Sequence, residues 1–228
     1  LDLFEAITLR RSVRKYTNTK VQPEVIEKAL QAALLAPNSS NLQTWKFFWI
    51  ESPEMKNRIA LDCMGQNAAK TASDLIVAVA RPSHWKKTRN EILKQSVSPN
   101  AEKQFKTYYK KLIPLTYGWI IFSPLKWILF NTIGIFKPIT RRPWSIRDIQ
   151  EICIKTTALA CENFMLAITA QGYGTCPMEG FDEKRIKKHL NLKWTDRVVM
   201  VIAVGEIDSK GIWGERFRCP NEWFIEKI

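Results

Sequence analysis

"DLIVAVA", residues 74–80, is apolar at every position after its first, and "RVVMVIAVG", residues 197–205, repeats the pattern near the other end of the chain. Short, nearly continuous apolar runs rich in β-branched residues are what strands look like when both faces of a sheet are covered. Working outward, "WKFFWI" at 45–50 carries the aromatic and branched residues of a further strand. The intervening segments have helical spacing. Asp2 and Glu5 form a capping-box pattern ahead of Leu3, Phe4 and Ile7. Pro23 opens a stripe of Val25, Ile26, Ala29, Leu30, Ala33 and Leu34 that stops at Pro37. A short helix is expected around Glu54–Leu61. Ser145 with Asp148 caps a long pattern through Ile149, Ile152, Cys153, Leu159, Phe164 and Leu166 to Ile168. That helix is apolar around much of its circumference, which predicts burial inside the domain or at a subunit interface. Helices and strands interleave without a regular βαβ rhythm, and no GxGxxG follows a strand. The pattern predicts an α+β layer fold and excludes a Rossmann unit.

The 228 residues, 46% hydrophobic, suffice for one large domain or two small ones with a proper core. A formal net charge of +13 calls for a negatively charged partner: nucleic acid, anionic lipid or an anionic small molecule. Five cysteines form no CxxC pair, and Cys153 and Cys161 fall in the apolar helical pattern, which predicts buried thiols and a reducing compartment. The two histidines, His84 and His189, offer no zinc spacing and no Ser-His or Cys-His pair, so protein-borne covalent catalysis has little support. His189 is expected to be exposed on a short basic helix. The opening "LDLFEAITLRR" is amphipathic and too short in its apolar part for a signal peptide.

Residues 83–143 break the pattern. Charged helical pieces lead into 112–136, 25 residues with a single charge, Lys126. The uncharged pieces of 14 and 10 residues around Lys126 are shorter than the roughly 20 a spanning helix needs, and Pro114 and Pro124 interrupt them. Two readings stay open. The segment is an apolar cover over a ligand site or partner subunit, which is preferred. Otherwise it is a membrane-surface element, marked by Trp119 and Trp127 and flanked by Lys110, Lys111, Lys137, Arg141 and Arg142.

Three polar stretches need one explanation: "RRSVR" at 10–14, "APNSSNLQTW" at 36–45, and "GYGTCPMEGFD" at 172–182 with "RFRCP" at 216–220. Singly, these are a solvated charge run, a turn and a loop. In this combination and order the sequence resembles the nitroreductase family of FMN-dependent oxidoreductases from Leu3 to Pro220, with 83–143 as the part that does not match. The resemblance implies the family's fold, a central mixed or antiparallel sheet flanked by helices, in a single domain over 1–228 with a variable cover at about 83–143. It also implies an entwined homodimer with FMN at the interface. Carried over residue by residue, Arg10, Arg11 and Ser12 hold the phosphate, Arg216 and Arg218 complete that site, and Arg14 reaches the N1/O2 side of the ring, where a cation helps set the redox potential. Guanidinium groups suit a phosphate dianion because their charge-assisted hydrogen bonds can be bidentate. Lys15 is left to solvent. Pro37, Asn38, Ser39, Ser40 and Asn41 contact FMN bound mainly to the other subunit, with Gln43 close by; Thr44, where the family usually has proline, is expected to loosen that turn. Pro177, Met178 and Gly180 line the ring, Glu179 offers its backbone N–H to N5, and Gly172 and Gly174 let the chain approach. Gln66 or Asn67 in "GQN" meets the N3/O4 edge. Trp45 and Trp213 are the tryptophans placed nearest the cofactor region. Cys176 is expected to pack without reacting.

The function so implied is transfer of hydride from NADH or NADPH through bound FMN to a nitroaromatic, quinone or flavin acceptor by a ping-pong mechanism, with no catalytic side chain required. Two other chemistries share the scaffold: reductive dehalogenation and breakdown of FMN itself. The rival from another class is a non-catalytic basic binder of membrane or nucleic acid. Against it, the positive residues are spread along the chain and no nucleic-acid-binding motif appears, so no nucleic-acid partner is expected. The expected location is cytoplasmic, with the option of peripheral contact at the inner membrane face through 112–136.

Overall fold

A computed structural model describes residues 1–118, 122–139 and 145–228. Trp119, Arg141 and Arg142, invoked above for membrane contact, lie outside the described residues. Numbered in chain order, the elements are α1 (Leu3–Leu9), α2 (Pro23–Leu34), β1 (Trp45–Ile50), α3 (Pro53–Asp62), α4 (Asn67–Thr71), β2 (Asp74–Ala80), α5 (Trp85–Ile92), α6 (Pro99–Thr107), α7 (Ile113–Tyr117), α8 (Ser123–Phe136), α9 (Ile146–Ala170), β3 (Gly174–Met178), α10 (Glu183–His189) and β4 (Arg197–Gly205). The strands form one antiparallel sheet in the order β1-β2-β4-β3.

The two apolar runs are the central strands, which explains their lack of alternation. Leu75, Val77 and Val79 of β2, with Val201 and Ala203 of β4, enter a core shared with α3, α4 and α10. Ile76 and Ala78, with Met200, Ile202 and Val204, enter a second core against α2 and α9 on the opposite face. Each large side chain so buried contributes about 1.5–3 kcal/mol relative to exposure. The capping boxes read from sequence are both formed, Asp2 with Glu5 and Ser145 with Asp148. By length and apolarity α9 would suffice to cross a membrane, but half of that stretch is buried in the fold; it is the core helix against which α1, α2 and the sheet pack.

After α1 the chain runs extended along the outer edge of the sheet, where Ser12 pairs with Thr175 and Tyr16 with Ile207. The Tyr16 hydroxyl donates to the Ala203 carbonyl at 3.1 Å. This close approach needs glycine at 205, where a Cβ would sit 2.7–2.9 Å from Tyr16 ring atoms and Cβ.

Two expectations need correction. His189 is half-buried, with Nε2 3.0 Å from Oδ2 of the buried Asp62, because the basic face of α10 turns toward the end of α3. Thr44 does not loosen its turn: it is buried, and its carbonyl accepts the Arg81 N–H at 2.7 Å. Lys15, by contrast, keeps its expected place in solvent, its side chain 41% exposed in a surface pair with Asp208 at 3.0 Å.

Candidate active site

The N-terminal arginines and the late basic pair meet at the β3 edge. Arg216 donates from Nη2 to the carbonyls of Thr8 and Arg10, both at 2.6 Å, closing the C-terminal end of α1. Arg11 donates to the Gly214 carbonyl at 3.2 Å, and the Arg14 N–H to the Gly211 carbonyl at 2.7 Å. Arg218 donates to the carbonyl of Phe217. The Arg216 guanidinium is lowered from its ordinary pKa by burial first and then by Arg218, Arg11 and Arg10, so four cations converge in one place. Their one acidic neighbour among the described ion pairs is Glu162, 3.8 Å from Arg10 Nε. Arg10 Nη1 is buried and has no hydrogen-bond partner. A buried guanidinium donor left unmet costs about 1–3 kcal/mol, so the arrangement suits an anion that the chain does not supply. A phosphate monoester, with two negative charges and several acceptor oxygens, fits that donor set.

The "GQN" and "PMEG" stretches adjoin this cluster. Asn67 Nδ2 donates to the Arg14 carbonyl at 3.1 Å, and Gln66 Nε2 to the Gly180 carbonyl at 2.8 Å, so "GQN" ties the arginine segment to the end of β3. The Arg14 guanidinium lies 4.7 Å from the Trp213 ring centroid and donates to the Ser12 carbonyl at 3.3 Å. Glu179 and Gly180 are exposed just past the strand, and Pro177 is half-buried. Met178 is buried in the core, so its backbone, and not its side chain, faces the site. Burial raises the Cys176 thiol pKa, against the opposing pull of Arg14 and Arg10. Gly172 and Gly174 serve the chain itself. Gly172 turns the backbone after α9 at φ 86°, and a Cβ at 174 would lie 2.7 Å from Val13 and 2.8 Å from Ile207.

Residues 37–43 are not part of this cluster. They lead into β1, at the opposite edge of the sheet from β3, and no hydrogen bond among the described residues joins the two groups. Ser40, Asn41 and Gln43 all have left-handed backbone angles, at φ 55°, 50° and 46°. Non-glycine residues hold such angles only when their surroundings impose them. Asn38 Oδ1 accepts the Gln43 N–H at 2.9 Å. The 83–143 segment supplies the rest: the Tyr108 hydroxyl lies 2.7 Å from Ser40 Oγ, Tyr109 donates to the Ser40 carbonyl at 3.1 Å, and Tyr117 to Ser39 Oγ at 3.2 Å. Pro37 to Ser40, Tyr108, Tyr117 and Leu159 border a cleft of about 570 Å³. Trp45 lies in the core beneath, and Gln43 opens onto a separate groove.

Sequence reading did not assign the three tyrosines to the site. For Tyr108 and Tyr109 the signal was "TYYKK", two adjacent aromatics in an otherwise charged helical stretch; Tyr117, in an apolar run, carried none. No group of His, Cys, Asp and Glu among the described residues could hold a metal ion.

Comparison with known proteins agrees with this geometry. The model of the nitroreductase family matches residues 7–206. Protein DrgA of Synechocystis is 28% identical over 229 residues, covering 100% of this chain and 95% of that protein. A Thermus thermophilus protein named NADH dehydrogenase is 23% identical, covering 92% of this chain and 89% of its own. A structure from Exiguobacterium sibiricum in complex with FMN superposes with a TM-score of 0.72 at 22% identity, over 100% of this chain and 98% of that one. With the matched model spanning most of the sequence and the same fold in solved relatives, the chain belongs to the nitroreductase family.

Proposed function

We propose that this oxidoreductase binds FMN between the basic cluster and the Met178–Gly180 backbone, and uses it to pass hydride from NADH or NADPH to an oxidised small-molecule acceptor in two alternating half-reactions. The observation that carries the reading is the buried, unpartnered Nη1 of Arg10 beside Arg11, Arg216 and Arg218. Bound FMN supplies the two-electron chemistry, and the protein supplies position, charge and access. Arg10, Arg11, Ser12, Arg216 and Arg218 take the phosphate. Arg14, held by Trp213 and the Ser12 carbonyl, sets positive charge at the pyrimidine edge. The exposed backbone at Glu179 faces N5, and the amides of Gln66 and Asn67 stand beside the remaining ring edge.

The working unit in this reading is a homodimer. Asn38–Asn41 and the arginines occupy opposite sheet edges of one chain, so a second chain is needed to complete each site. The exposed apolar side chains of Phe4, Leu35 and Leu159 are suited to that contact. The cleft beside the Ser39–Ser40 turn, walled by Tyr108, Leu112, Ile113 and Tyr117, favours an apolar acceptor such as a quinone or nitroaromatic.

The test is direct. Purified protein incubated with FMN and desalted should retain flavin absorbance and elute as a dimer. Initial rates with NADH and NADPH against several acceptors should give parallel double-reciprocal lines. A preparation that stays colourless, or a monomer with full FMN affinity, overturns the reading.

A further inference from the structure

Helix α8 is built inside out. Its single charge, Lys126, is 7% exposed. The Lys126 ammonium turns toward the body and donates to the carbonyls of Leu115 at 2.7 Å and Gly118 at 2.5 Å, satisfying the end of α7. Around the rest of the helix, Leu125, Ile128, Leu129, Ile133, Ile135 and Phe136 form an apolar face whose edge adjoins Lys126, each at least 40% exposed, and Trp127 is 55% exposed beyond it. At 3.6 residues per turn the positions of that face fall within about 160° of arc, and Thr132 is the one polar side chain among them. A surface helix with its charge inward and its aliphatic side chains in water is the reverse of the usual arrangement, so this face needs an apolar environment.

Charge identifies the occupant. Between Glu102 and Asp148 the sequence contains nine lysines and arginines and no aspartate or glutamate. Exposed Lys110 and Lys111 precede α7, and Lys137 follows α8. A second copy of the same face would bring cation against cation across a two-fold interface, with no acidic residue in the segment to compensate. A convex rod, apolar along its crest and cationic around it, matches a surface that deforms, is anionic outside and is hydrocarbon beneath. We infer that α8 docks this enzyme on an anionic lipid bilayer, lying in the interface with its Leu125–Phe136 crest among the acyl chains and the flanking lysines at the headgroups. At 14 residues α8 is about 21 Å long, short of the roughly 30 Å hydrocarbon core, so it lies on the bilayer and does not span it. The inference goes beyond the flavin reading and does not depend on it.

The test uses the full chain, with its FMN content measured in every sample. Flotation with phosphatidylcholine vesicles containing phosphatidylglycerol should recover the protein, and pure phosphatidylcholine vesicles should recover much less. Leu129→Glu with Ile133→Glu, both at exposed positions, should weaken binding to the anionic vesicles at least about tenfold without changing turnover of a water-soluble acceptor. Lys110→Glu with Lys111→Glu should lower the preference for anionic over neutral vesicles. Should the first double variant fold poorly, hydrogen exchange on the wild-type chain gives the same answer, with amides of α8 becoming protected when anionic vesicles are added. Absence of flotation, flotation indifferent to the Leu129 and Ile133 substitutions, or no added protection of α8 overturns the inference. So does concentration-dependent self-association without flotation that the double variant abolishes, which would make the crest a contact between copies of this chain. Loss of FMN with flotation intact would count against the flavin reading alone.

Discussion

Replacing Arg10 by methionine separates a phosphate ligand from a structural ion pair, because the two roles predict opposite signs. Arg10 is buried along most of its length, has one long contact with Glu162 at 3.8 Å, and leaves Nη1 without a partner. If that nitrogen serves the FMN phosphate, its charge-assisted hydrogen bond is worth about 1.5–3 kcal/mol, or about 10- to 150-fold in FMN affinity at about 1.4 kcal/mol per factor of ten. In the flavin-free protein the same nitrogen is a liability of about 1–3 kcal/mol. Methionine keeps much of the stem's packing and removes the unmet donor. The flavin-free Arg10→Met protein should therefore melt no lower than the flavin-free wild type, while the stabilisation gained on adding FMN shrinks. Titration with riboflavin sharpens the assay: lacking the phosphate, riboflavin should bind variant and wild type alike, so the preference for FMN over riboflavin collapses. Glu162→Gln should leave FMN affinity unchanged or improve it, since it removes a negative charge near the phosphate. A flavin-free Arg10→Met protein that melts well below wild type with its FMN preference intact would refute the argument and make Arg10 a partner of Glu162 only.

Alanine at Gly205 would drive a methyl into the Tyr16 ring, which cannot withdraw while its hydroxyl holds Ala203; a loss of about 1–3 kcal/mol in a denaturant titration is expected, and unchanged stability would contradict the packing. A thiol reagent applied to the native protein should modify Cys219 rapidly, while Cys63, Cys153, Cys161 and Cys176 react only after unfolding, as burial pushes the first three up to about 12, 11 and 12 and raises the fourth; peptide mapping by mass spectrometry checks this. Burial also pushes the Tyr117 hydroxyl from its ordinary 10.0 to about 12. The unfolded chain releases this proton first, so the stability it contributes is complete below pH 10 and is lost as pH rises toward 12. Tyr117→Phe should reduce the alkaline loss in that window, as read from unfolding midpoints across it.

The layers of the fold were legible because the central strands are covered on both faces and so are apolar at every position after the first, and because the helix starts at Asp2, Pro23 and Ser145 use local chemistry that the sequence states directly. The basic half of the site was legible as residue types. Its internal wiring was not, since Arg216 reaching the Thr8 and Arg10 carbonyls, or Asn67 reaching Arg14, spans long stretches of chain and involves backbone atoms that sequence cannot place. His189 was misread because a lone basic residue reads as solvated until its carboxylate partner, here Asp62, is brought to it by tertiary packing. Gly174 was misread differently: a glycine near a cofactor motif suggests room for the ligand, whereas here the room is filled by Val13 and Ile207.

The two halves of the site are held by different means. The arginine segment is a strip of backbone paired to β3 and closed by Arg216, so its geometry follows the sheet and is as rigid as the core beneath it. The Asn38–Gln43 turn has left-handed angles at three non-glycine residues, and its contacts to Tyr108, Tyr109 and Tyr117 come from the 83–143 segment. Such angles cost of order 1 kcal/mol each, and hydrogen bonds worth about 1 kcal/mol apiece are enough to offset them. The 83–143 segment therefore braces this turn. It fixes the turn that the dimer reading brings to the neighbouring flavin, and the same segment continues into α8. Lys126 of α8 hydrogen bonds the end of α7, and Tyr117 of α7 hydrogen bonds Ser39, so polar contacts join α8 to α7 and α7 to the turn.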